Sequence, residues 1–111
     1  MIEINSQIVV EIGTFLPYND TKEELLEALY ALLPSIHREI ECLNYELFWS
    51  QEGALTSVGR WKSSLGYNLH ENMRYIEEFK RTLLPVLCQE FTYTLRYSVV
   101  PPMSALSLLN E

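Results

Sequence analysis

The sequence predicts one α+β domain, in which strands and helices follow one another along the chain. Its 111 residues are a common size for a single domain. Hydrophobic residues make up 48% and charged residues 21%, a composition that can bury a core. Along the chain, segments in which apolar residues alternate, as in strands, are followed by segments in which they recur at helical spacing. We expect one domain over residues 1–100 and a short tail over residues 101–111 that could contact a partner subunit.

The first third of the chain predicts a strand and then a helix. Between Ile4 and Phe15, β-branched residues lie at alternating positions, which is typical of a half-buried strand. Thr21 and Glu24 have the spacing of a capping box, so a helix should begin there, and Pro34 should kink or interrupt it. The apolar stripe of this helix consists of Leu25, Leu26, Leu29, Leu32, Leu33, Ile36 and Ile40.

The rest of the chain predicts two strands, two helices and a last strand. Their expected ranges are 42–49, 55–61, 63–70, 72–85 and 91–100. Gly53 lies in the turn that joins the first two, and Ser63 or Ser64 can cap the first of these helices. The order strand, helix, strand, strand, helix, strand is that of the ferredoxin-like split βαβ sandwich, with helices on one face of an antiparallel sheet. Several strands are apolar on both alternations, so we expect the other face to meet a second copy in a homodimer.

Charge and cysteine content exclude several classes of protein. A net charge of -7 without a cluster of Lys and Arg argues against binding to nucleic acid or to an anionic membrane. No apolar run approaches the ~20 residues of a membrane span, and residues 1–7 lack the basic charge of a signal peptide. We expect a cytoplasmic protein, in which Cys42 and Cys88 are reduced structural thiols.

Two motifs carry a resemblance to a known family. The first is Glu41-Cys42-Leu43-Asn44-Tyr45-Glu46-Leu47 at the start of the second strand, and the second is Arg60-Trp61-Lys62-Ser63, with His70 nine residues after the tryptophan. In this order, and together with the strand over residues 8–15, they resemble the antibiotic biosynthesis monooxygenase domain. The resemblance extends over about residues 7–100.

The resemblance implies a dimeric α+β barrel and a reaction. Members of that family oxidise anthrones, quinols or haem with molecular oxygen and use no flavin or metal of their own. It implies that Trp61 and Ser57 line the substrate cavity, that His70 or Tyr67 exchanges protons, and that Arg81 stabilises a developing anion. Ser57 stands where the anthrone-oxidising branch has asparagine. We therefore expect a cofactor-independent monooxygenase for a small electron-rich aromatic, and haem only under a less favoured interpretation.

A non-catalytic interpretation stays open beside this one. A dimer of the same fold could bind a small hydrophobic molecule or act as a scaffold, because one fold hosts many functions. Trp61 could be a core residue and His70 a surface or core histidine. Tyr67 could anchor the short helix, and Arg81 could pair with the acidic residues near it. The spacing of the histidines, cysteines and acidic residues predicts no metal site.

Overall fold

The structure, a computed structural model, describes residues 7–99 as a four-stranded sheet with helices on one face. The strands are β1 (Val9–Pro17), β2 (Cys42–Trp49), β3 (Leu55–Trp61) and β4 (Cys88–Tyr97). The helices are α1 (Lys22–His37), α2 (Ser64–Glu71), α3 (Arg74–Glu78) and α4 (Leu84–Leu87), and a π-helical turn (Phe79–Leu83) joins the last two. The tail over residues 101–111 lies outside the described residues.

The sheet confirms the predicted fold. Its strand order is β2-β3-β1-β4, and every neighbouring pair is antiparallel. β1 and β3 are therefore the central strands. α1 leads from β1 past β3 to the edge strand β2, and the later helices lead from β3 past β1 to the edge strand β4. This is the ferredoxin-like arrangement, and it brings the start of β1 beside the end of β3, where Val9 is opposite Trp61.

The helices cover the sheet face that carries the odd-numbered residues of β1 and β3. On β1 these are Val9, Glu11, Gly13 and Phe15, all buried. The apolar residues pack in two clusters. One contains Phe15, Leu25, Leu29, Leu55, Phe79, Leu84, Leu87 and Cys88, and the other contains Val9, Ile36, Tyr45, Trp61, Tyr67 and Ile76. An ionisable side chain, Glu11, therefore lies inside a largely apolar layer.

Two expectations for the first strand and helix are wrong in detail. β1 begins at Val9, and the described residues before it, Gln7 and Ile8, are not in a strand. α1 continues through Pro34 to His37, because a proline so near the carboxyl end removes only a hydrogen bond of the last turn. Ile40 follows that end and is 98% exposed, so it does not belong to the apolar stripe.

The predicted capping box is also wrong, although the helix begins where it was expected. The Thr21 side chain makes no capping hydrogen bond. Its hydroxyl donates instead to the Leu87 carbonyl at 2.7 Å and accepts from the Tyr18 backbone N–H at 3.0 Å. Thr21 therefore ties the start of α1 to the end of α4, a tertiary contact that the local pattern does not reveal.

The second half follows the prediction more closely. β2 and β3 have the expected bounds, and Gly53 in the turn between them has a φ of +87°, which glycine adopts without strain. The Ser63 hydroxyl accepts from the Gly66 N–H and caps α2. The last predicted helix is interrupted by the π-helical turn, and β4 begins at Cys88, three residues early.

The sheet face without helices has an apolar centre. Val10, Ile12 and Val58 lie there on the two central strands, and Phe48 lies beside them on β2. Threonines and charged residues surround this centre, among them Thr14, Thr56, Thr92, Thr94, Arg60 and Arg96. Within residues 7–99 no helix has the length and apolar character needed to cross a membrane. Cys42 and Cys88 are both free thiols.

We predict that Gly59→Ala destabilises the domain by about 1–3 kcal/mol, because it overpacks the core. A Cβ at Gly59 would lie 2.6 Å from the Trp61 ring and 2.7 Å from the Tyr45 ring. Thermal and urea unfolding measure the effect. Thr56→Ala, on the opposite sheet face of the same strand, is the control. An unchanged free energy of unfolding in Gly59→Ala would contradict this packing.

Candidate functional site

The Glu39 carboxylate, in the turn after α1, is bound by three side chains from three other elements. Trp61 Nε1 at the end of β3 donates to Glu39 Oε1 at 3.1 Å. His70 Nδ1 on α2 lies 3.0 and 2.9 Å from the two carboxylate oxygens, and the Tyr75 hydroxyl on α3 donates to Oε2. A carboxylate only accepts, so Nδ1 carries the proton. These contacts fix the orientation of the His70 ring.

The same contacts keep Glu39 ionised. Burial alone would raise its pKa, but the hydrogen bonds from His70 and Tyr75 outweigh burial, and the pKa is lowered below 4.5. Trp61 is fully buried (0% exposed), and its ring packs against His70 with centroids 4.4 Å apart. Trp61 therefore holds the network in place from inside the core.

A second network begins on the central strand and reaches the surface. The Tyr67 hydroxyl on α2 lies 2.6 Å from Glu11 Oε2 and 2.9 Å from Glu71 Oε1. Lys80, in the π-helical turn, binds both oxygens of Glu71 at 2.9 and 2.7 Å. Glu11 is 1% exposed, whereas the Lys80 and Glu71 side chains are 28% and 29% exposed. The chain of contacts connects an interior carboxyl group with solvent.

The two carboxyl groups of this network differ in charge. Burial raises the pKa of Glu11; the hydrogen bond from Tyr67 opposes this rise and the nearby Glu71 supports it, so that the pKa moves from 4.5 to about 7. Burial also acts on Glu71, but the hydrogen bonds from Lys80, Glu11 and Tyr67 and the charge of Lys80 together outweigh it and lower the pKa of Glu71. Near neutral pH the interior group can therefore gain or lose a proton, while the outer group stays ionised.

Hydroxyl groups extend the polar layer along the sheet. Ser57 on β3 is fully buried, and its hydroxyl makes no well-formed hydrogen bond within residues 7–99. Burial raises the pKa of the Tyr45 phenol, and the nearby Ser57 hydroxyl opposes this rise. Burial likewise raises the pKa of Tyr93 on β4, whose ring lies 4.2 Å from the Lys80 ammonium. The polar layer on the sheet thus contains several neutral hydroxyl groups beside the Glu11 carboxyl group, which can change its charge near neutral pH.

The structure brings together four of the five residues that the sequence singled out. Trp61, Tyr67 and His70 contact one another, and Ser57 lies on the same sheet face. Arg81 is exposed on the π-helical turn and is not part of either network. Its neighbour Lys80 supplies the cation instead, because it is Lys80 that the turn directs toward α2.

Sequence reasoning missed the carboxylates. Glu11, Glu39 and Glu71 connect the predicted residues to one another, yet none of them belongs to a motif. One signal was available for Glu11: it is an acidic residue within a strand whose neighbours are almost all apolar. Glu71 gave a weaker signal, since it directly follows His70 on an amphipathic helix.

Comparison with solved structures confirms the resemblance at the level of the fold. A protein of Shewanella oneidensis is 26% identical, covers 86% of this chain and 95% of its own length, and superposes with a TM-score of 0.81. A crystallised antibiotic biosynthesis monooxygenase is 17% identical, with 85% and 99% covered and a TM-score of 0.71. A Caulobacter crescentus protein provisionally given the same name is 17% identical, with 86% and 94% covered and a TM-score of 0.76.

No model of a protein family and no curated protein matches the sequence. The chain therefore has the fold of antibiotic biosynthesis monooxygenases, while its reaction has to be argued from its own side chains.

We predict that the free energy of unfolding falls by about 3 kcal/mol as pH rises from about 4.5 to 7. In this range the folded protein holds the Glu11 proton that the unfolded chain has lost, so a higher pH favours unfolding. Glu39 and Glu71 affect stability in the opposite direction and at lower pH. Their pKa values are lowered, so their contribution to stability is complete in this range and is lost only as pH falls below it. Urea unfolding of the metal-free protein at pH 5, 6, 7 and 8 measures the fall.

Glu11→Gln should abolish this pH dependence, because the amide stays neutral at every pH. The control is Glu90→Gln, the same chemical change at an exposed carboxyl group on β4. It should keep the wild-type slope. An equal slope in Glu11→Gln and the wild type would show that Glu11 is not the group responsible.

Proposed function

We propose that this protein is a cofactor-independent monooxygenase that oxidises a small electron-rich aromatic, quinol-like or anthrone-like, with molecular oxygen. The observation that carries the proposal is the contact of the buried Glu11 carboxyl group with the Tyr67 hydroxyl, which connects it to Glu71 and Lys80. A carboxyl group so placed can take a proton from a bound substrate in a dry environment. The fold shared with antibiotic biosynthesis monooxygenases supports the same reaction class.

The reaction balances without a cofactor. For an anthrone-like methylene flanked by aromatic rings, a base removes a proton, and the resulting carbanion gives its electrons to O₂. Two C–H bonds break, one oxygen atom ends in a new carbonyl group, and the other leaves as water with the two protons. The substrate itself supplies all four electrons, so the protein has only to exchange protons and stabilise an anion.

The side chains of the two networks can divide this work. Glu11 acts as the base, and Tyr67 donates a hydrogen bond to the anion and passes the proton toward Glu71. Lys80, bound to Glu71 and partly exposed, supplies positive charge at the outer end. His70 and Trp61 hold α2 in place through Glu39, so they position Tyr67 and do not themselves touch the reacting atoms.

The proposal includes a homodimer formed through the sheet face without helices. The apolar centre of that face contains Val10, Ile12 and Val58, which one protomer leaves without a covering layer. A second sheet packed on it would remove these side chains from water, and a twofold axis lets one patch serve both protomers.

We predict that the EDTA-treated protein consumes oxygen with a reduced anthrone or quinol faster than the buffer does. Glu11→Gln should lower kcat by about 10²- to 10⁴-fold, as loss of a general base does. In the wild type the rate should rise with pH through about 7, because the base must be ionised. An oxygen electrode measures uptake, and ¹⁸O₂ labelling shows whether one oxygen atom enters the product.

Controls separate this reaction from simple autoxidation. Glu90→Gln should keep the wild-type rate. Catalase should return no oxygen, whereas an oxidase that only made hydrogen peroxide would give back half. Glu11, Ser57 and Trp61 are all buried, which favours the alternative of a non-catalytic binding protein or scaffold. Absence of uptake across the substrate panel would support that alternative.

We predict a dimer at micromolar concentration that Ile12→Lys converts to monomer, because a lysine at the centre of the apolar patch would lose its hydration in the interface. Light scattering gives the mass. Leu69→Lys, at an exposed leucine on α2, is the matched control and should stay dimeric. A monomer mass for the wild-type protein would refute the proposed dimer.

A further inference from the structure

Three side chains that commonly bind metals come together where β1 meets α2. Glu11, His70 and Glu71 each offer one ligand atom, and these three atoms lie within 4.8 Å of one another. Two of the residues are almost fully buried, Glu11 at 1% and His70 at 2% exposure. Carboxylate and imidazole together form a donor set that suits borderline divalent ions such as Zn²⁺, Mn²⁺, Fe²⁺ and Co²⁺.

The surroundings of His70 are those of a metal-binding histidine. Its Nδ1 is held by both oxygens of Glu39, which fixes the tautomer and the ring orientation. A carboxylate on one ring nitrogen is the usual support for a histidine whose other nitrogen binds a metal. Because Glu39 occupies Nδ1, which carries the proton, the unprotonated nitrogen of the ring is Nε2. The lone pair of Nε2 is therefore available to an ion.

The place of such an ion is contested by Lys80. The Lys80 ammonium binds both oxygens of Glu71, and the Tyr67 hydroxyl lies between Glu71 and Glu11. The Lys80 side chain is 28% exposed, so a competing ion has only to displace its ammonium from Glu71 and from the Tyr93 ring toward solvent. A divalent ion that replaced it would bring two positive charges to two carboxylates where the ammonium brings one.

We infer that Glu11, His70 and Glu71 form a binding site for a divalent transition-metal ion, in competition with the Lys80 ammonium. The inference does not depend on the proposed oxygenase chemistry, because it concerns binding alone. If both hold, the ion would occupy the carboxylate that serves as the base, so metal binding would inhibit oxygen uptake. This would make the site regulatory.

The test is a titration of the EDTA-treated, dialysed full-length chain with Co²⁺ at pH 7.5, followed by visible absorption and by calorimetry. We expect one Co²⁺ per chain with d–d bands that Zn²⁺ displaces. Lys80→Met removes the competing cation and should tighten Co²⁺ binding about tenfold. His70→Gln and Glu71→Gln should abolish the bands, and Glu39→Gln should weaken binding by about 10- to 100-fold through the histidine it supports.

His37→Gln is the matched control, because His37 is the other histidine of the chain and lies exposed at the end of α1. It should leave Co²⁺ binding unchanged. Circular dichroism establishes that each variant is folded, and the gain expected in Lys80→Met does not depend on variants that lose a buried contact. No binding by the wild type and Lys80→Met at millimolar Co²⁺ would overturn the inference. Binding lost in His37→Gln but kept in His70→Gln would do the same.

Discussion

The candidate site depends on the buried, ionised carboxylate of Glu39. This one group, in a turn, accepts hydrogen bonds from β3, α2 and α3. Burying a charge costs several kcal/mol unless its hydrogen bonds are complete, and here three donors complete them. The same contacts determine where α2 lies on the sheet. Because Tyr67, His70 and Glu71 all belong to α2, the contacts of Glu39 help to position all three side chains above β1.

The second carboxyl group of the interior has no such support. Glu11 lies deeper, and the cation nearest to it, Lys80, binds Glu71. Within residues 7–99 its hydrogen-bond donor is Tyr67 alone, so burial dominates and its pKa rises to about 7. One protein layer thus holds one carboxylate that stays charged and another that can change its charge. The difference arises from the number of donors that each group finds.

The fold could be predicted because its signals are local. The alternation in β2 and β3, Gly53 between them and Ser63 before α2 each specify an element from a few residues, and the structure confirms them. Predictions failed where tertiary contacts compete with local ones. Thr21 has the spacing of a capping residue, but its hydroxyl bonds to Leu87, 66 residues away. The exposed position of Ile40 likewise depends on where α1 ends.

The site was predictable only in part, and for a related reason. Trp61, Tyr67 and His70 lie within ten residues of one another, so a single strand-to-helix connection determines their contacts, and spacing along the chain was informative. Glu11 and Glu39 are 56 and 31 residues away from their partners on α2. The pairing of β1 with β3 brings Glu11 near α2, and the pairing of β2 with β3 brings Glu39 near it. Spacing also could not separate Lys80 from Arg81, because a π-helical turn shifts the direction of each side chain relative to an α-helix. The residues that set charge in this layer are therefore those whose positions only the folded sheet determines.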